Sequence, residues 1–265
     1  MYAQTNVALL RQLQRLGHAG ADLLQVRRAY ELAMQLFTAQ FRPAGEPFLV
    51  HLVRTASILA EHGADRAVIV AGLLHSAYTH GEFGDGRRWP SGAKRAEVAA
   101  VIGAESERLV HRYAEFEWLS VLPELPGSID RLSSQDRTVL LIRLANELEQ
   151  QVDLPRSCPP IADREAAAHL RRCAEAARRL GNAGLSAALD EAARELADGT
   201  ATPGSPATNG SLSRAGAVYH GGPRGSFQLP PRSHRLRARV AVLTRLRGSG
   251  VVRTLYHATR RLLAG

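Results

Sequence analysis

The chain has little cysteine, few aromatic residues and no long apolar run. Of its 265 residues only two are cysteine, Cys158 and Cys173. Two thiols cannot build a disulfide framework, and neither has partners at metal-ligand spacing, so both are expected reduced, as in the cytoplasm. No stretch approaches the roughly 20 apolar residues of a membrane-spanning helix. The opening residues, MYAQTNVALLRQLQRLG, lack an uninterrupted apolar core and a small-residue cleavage site. They read as an amphipathic helix rather than a signal peptide. Aromatic residues make up 5% of the chain, which suits helices packed through Leu, Ala and Val.

Acidic residues are missing from one region altogether. From Ala201 onward there are 11 arginines and no Lys, Asp or Glu. Residues 1–200 therefore hold 23 basic against 25 acidic residues, and the overall charge of +9 belongs to the tail. The body is near neutral and the tail is a basic appendage.

What the body does have is helical periodicity. The spacing predicts helices over 6–16, 21–40, 49–62, 66–78, 93–102, 104–114, 135–152, 164–180 and 185–196. Asp65 stands where its carboxylate can cap the helix beginning at Arg66. No strand alternation is convincing, so the expected class is all-α. Residues 1–198 read as one helical domain. Residues 199–232 are rich in Gly, Pro, Ser and Thr and read as a disordered linker, because such a segment buries too little apolar surface to offset its ordering entropy. Residues 233–265 regain helical spacing, with Leu236, Val240, Leu243 and Leu246 on one face and arginines opposite, and read as a basic amphipathic tail. Such a tail suits an anionic membrane surface, at the inner face, or a partner protein. It lacks the aromatic stacking partners of base readers, so specific nucleic-acid binding is not expected.

Chemistry-bearing residues gather in three segments. QFRPAGEPFLVHLVRTASIL sets Arg42 and Glu46 in a turn and His51 early in a helix. VIVAGLLHSAYTHGEFGDG places His75 on or beside a buried face, followed by Ser76, Tyr78, Thr79 and His80. LLIRLANELEQQVDL is amphipathic and sets Asn146 among apolar residues, where its amide needs partners. Each has a plainer reading: packed, hydrogen-bonded histidines, a surface arginine, a turn-fixing Glu46, a core Tyr78 and a solvated His80. The basic loop FGDGRRWPSGAKR, residues 83–95, offers Arg87, Arg88, Lys94 and Arg95 to a phosphate, or is a solvated loop without the context of a P-loop.

These segments, in order and spacing over about residues 25–155, resemble the HD hydrolase domain of RelA/SpoT-type guanosine tetraphosphate hydrolases. FRPAGEPFLVHLVRTASIL is similar to that family's R-x-S-G-E-P-Y-x-x-H-P segment. AGLLHSAYTH stands where the family has A-x-L-L-H-D-x-x-E-D, and IRLANELEQQVDL resembles I-K-L-A-D-R-L-H-N-M. HSAYTH also resembles a bacterial group of HD-like proteins with a His-small-x-Tyr segment. The resemblance implies an HD-domain-like helical bundle, with His51 and His75 at a divalent-metal centre and Arg42 packed against a guanine base. Ser76 replaces the paired Asp and Asn146 the later Asp, while Thr79 and His80 occupy the places of the catalytic Glu-Asp pair. Hard divalent cations favour anionic oxygen ligands, which these replacements remove.

The leading expectation is a divergent, non-hydrolytic HD-like protein. It would bind or sense a small, phosphorylated ligand in a pocket around Arg42, Glu46, His51, His75, Ser76, Tyr78, Thr79, His80 and Asn146. No cofactor is expected. Two alternatives stand beside it. One is a metal-dependent phosphohydrolase with a rearranged site, holding Zn, Fe or Mn on His51, His75 and His80. The other is an interaction module carried to a membrane by its tail.

Overall fold

The computed structural model describes residues 2–42, 45–121, 124–157 and 164–198. The predicted linker and tail, 199–265, and Cys158 lie outside the described residues.

Among the described residues the regular elements are all helices, apart from an isolated bridge between Phe41 and Pro47. The helices are α1 (Asn6–Arg15), α2 (Gly20–Phe37), α3 (Phe48–Glu61), α4 (Arg66–Leu74), α5 (Ala77–His80), α6 (Gly92–Ile102) and α7 (Ala104–Glu115). They continue with α8 (Trp118–Val121), α9 (Ser134–Ser157), α10 (Arg164–Arg179) and α11 (Ala183–Asp198). Among the described residues, no helix is long and apolar enough to cross a membrane.

Position in the bundle follows from pattern. α4 is apolar on every side, from Ala67 to Leu74, and such a helix must be buried all round. It sits at the centre, against α2, α3, α7 and α9. Asp65 starts it by accepting from the Val68 N–H at 2.9 Å. α3 crosses it closely at Gly72, where a Cβ would meet Leu59 Cδ1 at 2.3 Å. The N-terminus is pinned to α3, since the Ala3 N–H donates to Ser57 Oγ at 2.8 Å and Gln12 Nε2 donates to the Ser57 carbonyl at 3.1 Å. α10 and α11 form a hairpin that packs on α9.

One boundary differs from the periodicity in a way that matters. The spacing predicts a single helix over 66–78, but α4 stops at Leu74 and α5 begins at Ala77. His75 Nδ1 lies 2.7 Å from the Gly72 carbonyl. The side chain thus competes for the acceptor that the next backbone N–H would use, much as short polar side chains do at helix ends. Two further pieces, α8 and a 3-10 turn at Ile129–Arg131, lie in a stretch without helical spacing.

Candidate functional site

His51 on α3 and His75, directly after α4, meet in the interior of the bundle. Both are buried, at 6% and 1% exposure, as are Ser76, at the start of α5, and Asn146, on α9, at 7% and 4%. His51 Nε2 and His75 Nε2 face each other at 3.3 Å, with the rings edge to face. Phe48, one turn before His51, carries the His51 ring on one contact (5.4 Å between centroids) and the His80 ring on another (5.5 Å). Tyr113 closes the far side of His75 at 4.9 Å.

Two residues that the sequence reading passed over hold this pair in place. Glu149, three positions after Asn146 on α9, is fully buried and bonds His51 Nδ1 through Oε2. Arg54, three positions after His51 on α3, donates from Nη1 to Glu149 Oε1 at 2.8 Å. Its Nη2 donates to Glu46 Oε1 at 2.6 Å, so one buried guanidinium joins two carboxylates. Arg42 Nη1 adds a bond to Glu149 Oε2 at 3.2 Å. Burial alone would raise the Glu149 pKa, but the His51 ring, Arg42 and Arg54 outweigh it and hold the carboxyl below its ordinary range. A charged side chain buried in this way requires a partner, and here each of the two supplies the other's.

The hydrogen bonds fix the ring protons. A carbonyl only accepts, so His75 carries its proton on Nδ1 toward Gly72. Burial first, and then the His51 ring, hold the His75 pKa well below the ordinary 6.5, and the residue is neutral with a lone pair on Nε2. The ionised Glu149 likewise requires a proton on His51 Nδ1. Glu149 thus orients the His51 ring from Nδ1, and Nε2 of that ring meets Nε2 of His75.

The remaining predicted residues divide between rim and core. Arg42, Glu46, Thr79 and His80 are half-buried. His80 Nδ1 pairs with Thr79 Oγ1 at 2.9 Å, and its carbonyl accepts from Gln40 Nε2 at 3.1 Å. Tyr78 lies in the core at 1% exposure, where its hydroxyl donates to Glu107 at 2.8 Å. Arg95 binds the same Glu107 through two nitrogens, at 2.8 and 2.9 Å. Among the described residues, no group of three or more His, Cys, Asp or Glu is arranged to hold a metal ion. Among the described residues, the carboxylate bonded to the pair is Glu149, and it is committed to His51 and two arginines. Two neutral imidazoles bring no charge to offset a divalent cation, and the pair does not fit a hard divalent ion.

The chain resembles RelA/SpoT-type proteins. It is 28% identical to a probable GTP pyrophosphokinase of Mycobacterium leprae over 175 residues, which is 64% of this chain and 21% of that protein. It is 27% identical to the GTP pyrophosphokinase of Myxococcus xanthus over 183 residues, 66% of this chain and 23% of that one. A shorter stretch of 55 residues is 47% identical to the bifunctional (p)ppGpp synthase/hydrolase RelA of Mycobacterium tuberculosis, covering 21% of this chain and 8% of that one. The chain thus spans about a fifth of the length of the first curated relatives it matches at full extent. Residues 34–117 match a family described as a domain of unknown function (DUF6817). A solved structure described as a metazoan ortholog of SpoT that hydrolyzes ppGpp aligns with 20% identity and a TM-score of 0.47, over 64% of this chain and 94% of that one.

Proposed function

We propose that this chain is a RelA/SpoT-like domain that binds a phosphorylated guanosine nucleotide without hydrolysing it. The observation that carries the reading is the commitment of Glu149. It is the carboxylate packed against the histidine pair, and it is engaged at once by His51, Arg54 and Arg42. A general base must be able to take up a proton, and a metal ligand must offer a lone pair to the ion. Glu149, held ionised by His51, Arg42 and Arg54, is set to do neither. Ser76, Thr79, His80 and Asn146 stand where the family has its acids, and none supplies a negative charge.

Binding has different requirements, and the rim meets them. Arg42 is half-buried at the edge of the site, where it holds Glu149, and a planar guanidinium is the group that stacks on a base or pairs with a phosphate. Thr79 and His80 are half-buried and bonded to each other. The similarity to proteins named for (p)ppGpp and GTP chemistry supports guanosine nucleotides as the ligand class.

Isothermal calorimetry with guanosine tetraphosphate tests the reading. The full-length protein is expected to bind saturably without added divalent metal, and Arg42→Ala to weaken binding at least tenfold. Equal binding by wild type and Arg42→Ala, or no binding by wild type, would overturn it.

A further inference from the structure

Lys94 is a buried lysine, 4% exposed, with a loop wrapped around its ammonium. Nζ lies 3.1 Å from Asp85 Oδ2, donates to the Arg87 carbonyl at 2.6 Å and to the Trp89 carbonyl at 3.4 Å, and sits 5.1 Å from the centre of the Phe83 ring. Every second residue from Phe83 to Trp89 therefore touches one cation. An ammonium has three donors, and three oxygens receive them.

The loop so fixed presents Arg87, Arg88 and Trp89 to solvent. Trp89 is 60% exposed and adopts a φ of 79°, where L side chains rarely sit, and it also precedes Pro90. Its N–H donates to the Tyr78 carbonyl at 2.8 Å, and Arg88 Nη1 donates to the Thr79 carbonyl at 2.9 Å. Both bonds tie the loop to α5, the element that carries Thr79 and His80. Folding explains none of this display, because the indole covers no core. Asp85 is neutralised by Lys94, and among the described residues no ion pair engages Arg87 or Arg88. The tripeptide is an aromatic plate beside two cations.

We infer that the 83–89 loop is a nucleotide-recognition element, with Trp89 stacking on the base and Arg87 holding phosphate. The inference rests on the ligand-binding reading above and adds its recognition surface. A planar anion matches the chemistry better than a bilayer does. An aromatic side chain and a guanidinium are the sequence-tolerant pair that grips bases and phosphates. A membrane-seated loop would instead offer contiguous apolar surface, whereas Phe83 turns inward onto Lys94.

The test uses full-length protein with GDP, guanosine and inorganic pyrophosphate. The chain has two tryptophans, Trp89 exposed and Trp118 buried, so an accessible ligand acts on Trp89 emission. GDP is expected to quench it saturably and to bind at least tenfold more tightly than guanosine or pyrophosphate alone. Trp89→Ala and Lys94→Met are each expected to weaken GDP binding about fivefold or more by calorimetry, at unchanged far-ultraviolet dichroism, with Trp89→Phe restoring most of it. Unchanged affinity in both Trp89→Ala and Lys94→Met would overturn the inference. So would emission that responds to phosphatidylglycerol vesicles and not to GDP. GDP binding that survives Trp89→Ala but is lost in Arg42→Ala would sink this inference and leave the ligand-binding reading standing. Absence of binding by both GDP and guanosine tetraphosphate would overturn both.

Discussion

At the scale of single residues, Glu149 organises the site. It is fully buried, and removing its charge takes from Arg54 one of its two carboxylate partners and from His51 the partner of its Nδ1. Breaking a buried charge cluster from one side typically costs about 3–5 kcal/mol. Glu149→Gln keeps the shape and is expected to lower stability by about that amount in urea unfolding. A loss under about 1 kcal/mol would mean that the charges are not coupled as described. His75 adds a pH dependence with a definite sign. Its folded pKa lies well below the unfolded 6.5, so the unfolded chain takes up protons first on acidification. The stability tied to neutral His75 is complete above about pH 6.5 and drains away as the pH falls toward the folded value. Glu149, lowered from 4.5, works in the same direction at more acid pH. His62, also lowered by burial, shares the first window, so the comparison must be with a variant. Urea midpoints for wild type are expected to fall between pH 7 and 5.5, and those of His75→Asn to fall less steeply. Parallel curves would remove His75 as a source of the slope.

At the scale of elements, the site depends on where α3 and α4 touch. Gly72 lets them approach, and its carbonyl also holds the His75 ring. An added methyl must displace Leu59 within a closed core, so Gly72→Ala is expected to cost about 1–3 kcal/mol as overpacking does. A neutral result in thermal unfolding would show that α3 and α4 separate easily. Gly81 is as closely packed and less forgiving, because a Cβ there would meet the Ala77 carbonyl oxygen at 2.3 Å, a backbone atom that cannot swing aside. The long helices were legible from spacing alone, with ends near those observed, because their apolar faces repeat at the helical period and Asp65, Gly63 and Gly103 punctuate them. The break between α4 and α5 was not, since it depends on one imidazole reaching the Gly72 carbonyl. That His51 and His75 meet was legible, because two motifs set them early in α3 and at the end of α4. Arg54 and Glu149 were hidden for the opposite reason: each looks like the odd charged residue of an amphipathic helix until the tertiary packing sets them side by side. Lys94 reads as a loop cation in sequence, and only the fold shows the chain turned around it.

At the scale of the whole molecule, a helical bundle similar to RelA/SpoT-type proteins carries a site whose charges are balanced internally. Glu46 and Glu149 are matched by Arg42, Arg54 and the His51 ring, and Glu107 by Arg95. What faces outward is Arg87 and Trp89 of the 83–89 loop. The proposed binding without hydrolysis rests on this division of charge. The most direct measurement follows bound and cleaved nucleotide in one sample: purified full-length protein with guanosine tetraphosphate and Mn²⁺, read by equilibrium dialysis and by pyrophosphate release. The account predicts saturable binding with no release above the rate without protein. Steady, metal-dependent pyrophosphate release that is abolished by His75→Ala would contradict it.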